Sequence, residues 1–376
     1  MKIKESLNID LSLNGDRVLL VIAGLLIVIS FAAAFSTSSN MVNLYHRHDN
    51  FFYLFKHTVL IILGLMIFIV TVNIDTGRYK IWAKPLLLIT IGLLIYTFFF
   101  GVDPNGTGAR RWIKIPFATI QPSLIALPVF MLYTSVFLDK IRSRDHDFQY
   151  DFKQFWIYFF VVLMFIVPHN ISTGSILGLM TIIILTIGGY PFKRLLLIGA
   201  LILGLGGIYF LAAKAFPVTI PNRFETLINR IERFSKGEEV LQTKYAKAAI
   251  ATGGIIRFAP GKSVQKNLLS QSSSDFVYAI LAEEYGVAGA VFILILYLVL
   301  LVTVIAIAIK QKEFFPKVLT IALGTPMILQ AYLNMSVGTG LIPVTGQPLP
   351  LISTGGTTIF MTGWILGVIF KISMKK

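Results

Sequence analysis

The chain has 376 residues, of which 56% are hydrophobic and only 14% charged, with a formal net charge of +15 and a mean hydropathy of +0.78. Soluble domains carry roughly 45–50% apolar and about 25% charged residues, so a water-soluble globular protein is excluded. Cysteine is absent, which excludes disulfides, thiolate metal sites and cysteine nucleophiles.

The apolar residues come in blocks near the length of a bilayer crossing, about 17–25 residues. They predict an all-α polytopic membrane protein with about ten transmembrane helices, at 18–36, 57–73, 85–101, 119–138, 155–168, 173–190, 195–213, 286–309, 318–335 and 357–371. The first run is followed by small residues, but it is longer than the roughly 7–15 apolar residues of a cleaved leader and reads as a retained span. The short connections on one side hold most of the Lys and Arg, among them Lys2, Lys4, Arg17, Arg78, Lys80, Lys84, Lys140, Arg142, Lys193, Arg194, Lys310 and Lys375. The short loops opposite hold Arg47, Lys56, Arg110, Arg111 and Lys114. Such bias predicts that the richer side, with both termini, is cytoplasmic.

A long outer loop, 214–275, separates the seventh and eighth spans, and its basic residues (Arg230 and Lys262 among them) outnumber its acids. Orientation does not ask for positive charge there, so a surface for an anionic partner or substrate is one reading and a solvated loop the other. Within it, "IPNRFETLINRIERFSKG" predicts an amphipathic helix with Phe224, Leu227, Ile231 and Phe234 on one face.

The loop runs into "SSSDFVYAILAEEYG" at 272–286 and then the eighth span. One straight helix from Asp275 to Ile309 would be about 52 Å long at 1.5 Å per residue. The hydrocarbon core is about 30 Å thick, so the helix is expected to break at Gly286 or Gly289. Two roles are open to Asp275. Ser274 or Asp275 can be the N-cap of a short helix, or Asp275 can be a carboxylate in a partly desolvated cleft, suited to taking a proton. Glu283 and Glu284, about two turns further and deeper, read as bracing groups facing the interior.

Two other outer segments carry polar groups. "GLIPVTGQPLPLISTGGTTIF" at 340–360 cannot be a regular helix, and irregular backbone at this depth survives only where protein or a water-filled cavity satisfies it. Gly355 and Gly356, at the start of the last span, can present N–H groups to an anion. In "GTGARRWIKIPFATIQPS", Arg110 and Arg111 are candidate diphosphate ligands or interfacial anchors. No P-loop and no H-E-x-x-H is present.

These segments, in this order, resemble the SEDS family, the FtsW/RodA/SpoVE proteins. The resemblance is carried by "GARRWI" with "QPS" at 108–123, "AIATGG" at 249–254, "GKSVQKNLL" at 261–269, "SDFVYAILAEEYG" at 274–286 and "GLIPVTGQPLPLISTGG" at 340–356. It implies a single transmembrane domain over 1–376. It also implies a peptidoglycan glycosyltransferase polymerising lipid II at the outer face of a bacterial cytoplasmic (inner) membrane, with Asp275 catalytic and undecaprenyl pyrophosphate leaving. Arg110, Arg111, Arg230, Lys262, Gln265, Thr345, Ser353, Gly355 and Gly356 are then the candidate substrate-binding residues. A cognate class B penicillin-binding protein (a transpeptidase) and other division proteins are the implied partners, with no nucleic acid.

The sequence departs from the family pattern in places. Leu124 and Leu127 stand where "QPSE" and a following Lys are usual, His169 and Asn170 where "QPDxG" is usual, and Ser270 and Gln271 where "LPE" is usual. These bear on secondary polar contacts and on a divalent cation, Mg or Mn, which stays open. No other cofactor is implied. The chain looks FtsW-like, with a RodA-like elongation polymerase as the alternative within the family. Outside it, a flippase for lipid-linked precursors is the rival reading. A flippase favours polar groups near the midplane, whereas here they cluster at the outer ends of the spans.

Overall fold

The computed structural model describes residues 14–45, 50–103, 110–115, 118–142, 146–215, 230, 232, 235, 236, 240–269 and 272–374. Most of the expected amphipathic helix at 220–237, and Ser270 and Gln271, lie outside them. The described chain is mostly helical. Its helices are α1 (Arg17–Tyr45), α2 (Asn50–Val72), α3 (Thr76–Phe100), α4 (Pro122–Arg142), α5 (Phe148–Asp151), α6 (Ile157–Ile166), α7 (Ile171–Ile187), α8 (Phe192–Ala215), α9 (Leu241–Gly253), α10 (Val277–Lys310), α11 (Phe314–Gly338) and α12 (Gly356–Met374). A π turn, Phe152–Trp156, joins α5 to α6.

Among the described residues, seven helices are long and apolar enough to cross a membrane: Arg17–Ser38 of α1 and Phe51–Val72 of α2 together with α3, α4, α10, α11 and α12. The predicted fifth to seventh spans correspond to α6, the shorter apolar α7, and α8. Two boundaries differ from expectation for local reasons. The third helix starts well before Pro85, at Thr76, because Asp75 caps it by accepting from Gly77 N, and a proline inside a membrane helix is tolerated by its neighbours. The fourth starts at Pro122 rather than 119, because the residues before it form a small antiparallel hairpin, β1 (Ile113–Ile115) with β2 (Ala118–Ile120).

The core lies where α4, α11 and α12 meet, and α4 is buried along nearly its whole length. Two of its hydroxyls are satisfied inside their own helix, Thr134 Oγ1 to Phe130 O at 2.8 Å and Ser135 Oγ to Met131 O at 2.9 Å, so they can sit among apolar side chains without an orphaned donor.

One end of the bundle is tied together by polar contacts. Asp16 N donates to Ser373 Oγ at 2.9 Å, Gln311 Nε2 to Ile372 O at 3.3 Å, and Lys80 pairs with Asp139 at 2.6 Å. The starts of α1 and α11 and the end of α12 are therefore level. At 1.5 Å per residue, Ser36 lies about 28 Å along α1 and Asn334 about 30 Å along α11 from that end. Both mark the opposite end, where the candidate site is found.

Candidate active site

The eighth apolar segment is broken at Gly286, which has φ 71° and ψ −178° inside α10. Only glycine adopts that backbone readily, and a Cβ there would stand 2.8 Å from Ile255 O. The bend is sharp. Tyr278 Oη donates to Ala290 O at 3.2 Å, although these residues would be about 18 Å apart along a straight helix. The first part of α10 thus folds back beside the second. This corrects the expectation that Glu283 and Glu284 lie deeper than Asp275. Glu284 meets Ser36 and the Asp275 backbone meets Asn334, at nearly equal heights along α1 and α11.

The N-cap reading of Ser274 and Asp275 is also corrected. The helix begins after Phe276, and no side chain caps it. Residues 272–276 form a turn, so the acid is not consumed by a cap. Asp275 Oδ1 accepts from Ser274 Oγ at 3.0 Å.

The second wall is the irregular segment 340–355. A Cβ on Gly346 (φ 71°) would stand 3.6 Å from Asp275 Oδ2, so this backbone passes directly beside the carboxylate. Asn334 Nδ2 joins the walls, donating to Ser274 O (3.2 Å), Asp275 O (3.0 Å) and Gln347 O (2.8 Å). Ser353 Oγ donates to Ser274 O at 3.1 Å and accepts from Leu349 N at 2.8 Å, and Thr354 N donates to Ser273 O at 3.3 Å. Gln347 Nε2 reaches Thr173 Oγ1 on α7 at 3.0 Å. Non-glycine Leu351 is held at φ 67°, a strained conformation, while Tyr297 Oη donates to the carbonyl of Pro350 beside it.

Crowding by protein pushes the Asp275 carboxyl above the usual carboxylate range, and the Ser274 hydroxyl and the Arg111 guanidinium pull it back down. Arg111 is itself fixed, its Nε donating to His169 O at 2.6 Å. The result is a carboxylate with raised proton affinity facing a cation, a combination that suits a general base.

The sequence-predicted residues therefore divide. Asp275, Arg111, Ser353 and the Thr345–Gly346 backbone come together. Arg230 reaches the same segment from outside, donating to Val344 O at 3.0 Å. Gly355 and Gly356 open α12 just after the Thr354 contact. Arg110 is exposed and donates to Phe99 O at 2.8 Å instead.

Glu283, Glu284 and Gln265 belong to a separate clamp. Glu283 accepts from Ser263 Oγ, Val264 N (2.9 Å) and Gln265 N (3.4 Å). Glu284 accepts from Ser36 Oγ and from Ser263 N (3.2 Å). Lys266 Nζ is buried among them and donates to Gly261 O at 2.6 Å. Burial lowers the Lys266 pKa, and Glu284 and Glu283 oppose that. Lys262 is exposed on the same loop.

Sequence reasoning missed Asn334, Gln347 and Thr173. The available signal was a pair of amides, Gln330 and Asn334, inside a mostly apolar span, since intramembrane polar groups are costly unless they have a task. Among the departures, Asn170 has a plain local role, with Oδ1 accepting from Thr173 N at 3.2 Å as the cap of α7. Leu124 and Leu127 line a small gap between α4, α11 and α12. Among the described residues no group of three or more His, Cys, Asp or Glu could hold a metal ion.

The family model described as "Cell cycle protein", FTSW_RODA_SPOVE, matches residues 16–376. The chain is 27% identical to the "Probable peptidoglycan glycosyltransferase FtsW" of Geobacter metallireducens, over 100% of this chain and 99% of that one. It is 28% identical to the "Stage V sporulation protein E" of Bacillus subtilis, over 96% and 97%. Its fold is similar to a chain solved under "Structural coordination of polymerization and crosslinking by a peptidoglycan synthase complex" (TM-score 0.72, 21% identity, 96% and 97% covered). It is also similar to the rod shape determining protein RodA of Thermus thermophilus (TM-score 0.67, 21% identity, 96% of each chain covered). With its helical bundle, its broken eighth segment and a family match over nearly its whole length, this chain belongs to the FtsW/RodA/SpoVE family.

Proposed function

We propose that this protein is a peptidoglycan glycosyltransferase of the FtsW kind, polymerising lipid II with Asp275 as general base. The observation that carries the reading is the Asp275 carboxylate. It has raised proton affinity, lies against the Gly346 backbone and is subject to the Arg111 charge. In the step proposed, the 4-hydroxyl oxygen of the acceptor sugar bonds to the anomeric carbon of the donor. The bond from that carbon to the diphosphate oxygen breaks, and undecaprenyl pyrophosphate leaves with the electron pair. Asp275 takes the hydroxyl proton. Arg111, with Arg230 at the rim, supplies positive charge for the leaving diphosphate, the place where charge develops.

The names of the curated relatives support this reading. A transpeptidase partner is supported by the similar chain taken from a complex that coordinates polymerisation and crosslinking. The loop charge bias supports a cytoplasmic membrane location with both termini inside. Single cysteines at Ser39 and Ser143 should then label from opposite sides, and labelling of both from outside contradicts the topology. The activity is tested by incubating the purified protein with lipid II, alone and with a class B penicillin-binding protein. Glycan chains are expected, and their absence in both conditions contradicts the assignment.

A further inference from the structure

The segment from Gly254 to Gly261 leads from α9 into the clamp on Glu283 and Glu284, and the site above does not use its outward side. That side is the reverse of a water-facing turn. Ile255, Ile256 and Phe258 are 78%, 82% and 82% exposed. Arg257, the charged residue among them, is turned back, its Nη1 donating to Thr252 O at 3.0 Å.

The tip is not loose. Val287 N donates to Gly254 O at 2.9 Å, Ala288 N to Ile255 O at 3.0 Å, and Ala259 N to Glu284 O at 3.0 Å. Backbone hydrogen bonds thus fix it across the break in α10. A solvated loop would have no reason to hold three large apolar side chains outward in a rigid frame. Contiguous exposed apolar surface marks a protein or membrane contact.

Its position selects between these. Beyond the break, α10 carries exposed Val291, Leu298 and Val302, spaced so that they share one face. In a membrane-crossing helix that face meets lipid. The base of the segment rests on α1, where a Cβ on Gly261 would stand 2.8 Å from the ring of exposed Phe35. The tip therefore adjoins the lipid-facing surfaces of α1 and α10, beside the end of the apolar span of α1 and the break in α10. Apolar groups placed there bury about 5–10 Å into the boundary between headgroups and acyl chains.

We propose that Ile255, Ile256 and Phe258 form a fixed apolar finger inserted into the bilayer interface, anchoring the half-helix that follows Asp275 to lipid as well as to protein. The partner is the lipid surface itself, and no second protein is needed to cover the finger.

The absence of cysteine allows a direct test on the full chain. Single cysteines replace Ile255, Ile256 and Phe258 in turn, with Leu298→Cys as the lipid-facing control and Lys312→Cys as the water-facing one. Each protein is nitroxide-labelled and placed in phosphatidylcholine vesicles without any other protein. Collision rates are then measured with oxygen, which concentrates in lipid, and with a water-soluble nickel chelate. The expected result is an oxygen-to-nickel ratio at 256 and 258 several-fold above that at 312 and close to that at 298. Ratios at all three finger positions like that at 312 would mean a water-exposed tip. Low collision with both probes would mean a tip covered by protein, in a second copy or in the same chain. Either outcome overturns the proposal. The three positions are read independently, so one poorly folding variant leaves the test intact.

Discussion

Asn334 holds Asp275 by its backbone and not by its carboxylate. Its amide nitrogen donates to Asp275 O at 3.0 Å and to Gln347 O at 2.8 Å, so one side chain of α11 fixes the distance between the acid and the wall beside it. Asn334→Ala removes this donor from three carbonyls, of which Gln347 O is buried and Ser274 O keeps the Ser353 hydroxyl. Stranding buried polar groups costs about 1–3 kcal/mol each at most sites. The expected outcome is a lowered melting temperature together with a several-fold fall in kcat and little change in KM, because the acid is displaced while the substrate contacts stay. Steady-state kinetics on the folded fraction, with melting followed separately, checks it.

Arg111 acts on Asp275 through its charge, pulling down a carboxyl that burial has raised. A general base must be ionised, so turnover should fall as pH drops through its pKa. That acid limb should lie above the usual carboxylate value of about 4. Arg111→Ala removes the opposing charge and should move the limb to higher pH. Arg111→Lys keeps the charge and should leave the limb nearly in place, while losing the hydrogen bond from Arg Nε to His169 O and weakening diphosphate binding. Arg110→Lys, at an exposed side chain turned to Phe99 O, should change the profile least. pH–rate curves of the three variants separate these outcomes.

The neighbouring acids Glu283 and Glu284 should respond differently to the same substitution. Both carboxylate oxygens of Glu283 accept hydrogen bonds, from Ser263 Oγ, Val264 N and Gln265 N. Glu283→Gln must turn an NH2 toward an N–H, at a cost of about 1–3 kcal/mol. Glu284 uses Oε1 for Ser36 and Ser263, while Oε2 has no hydrogen-bond partner among the described residues. A glutamine can place its oxygen at the first position and its NH2 at the second. Glu283→Gln is therefore expected to melt clearly earlier than Glu284→Gln, with the turnover of correctly folded Glu284→Gln near wild type. Equal melting of the two would contradict this account of the clamp.

The bundle was legible in the sequence because long apolar blocks leave few alternatives to membrane helices. The break at Gly286 was legible for the same reason, since an unbroken helix from Asp275 is longer than a bilayer is thick. The sense of the break was not. Whether the half-helix points outward or folds back depends on a contact between Tyr278 and Ala290 and on the seat of the 254–259 backbone against Gly286, and these are properties of packing. The cap role for Asp275 failed because capping preference is local, whereas the turn at 272–276 is set by Asn334, Ser353 and Thr354 from segments far along the chain. Grouping Lys262 with Asp275 rested on the charge of the outer loop as a whole, and grouping Gln265 with it on the family resemblance. The fold ties Gln265 instead to Glu283 and leaves Lys262 exposed on the same loop.

The role of Asp275 is tested most directly by polymerisation of lipid II by purified Asp275→Asn beside the wild type, with thermal melting of both. Asparagine keeps the size of the side chain and removes the base. The expected result is loss of glycan synthesis by about 100-fold or more, the lower range of general base catalysis. Burial raises the folded-state pKa of Asp275. Ionisation of this acid therefore costs stability at any pH above the unfolded carboxylate value, and Asp275→Asn should melt no earlier than wild type at neutral pH. A folded Asp275→Asn protein that polymerises lipid II at the wild-type rate would contradict the assignment of Asp275 as the base.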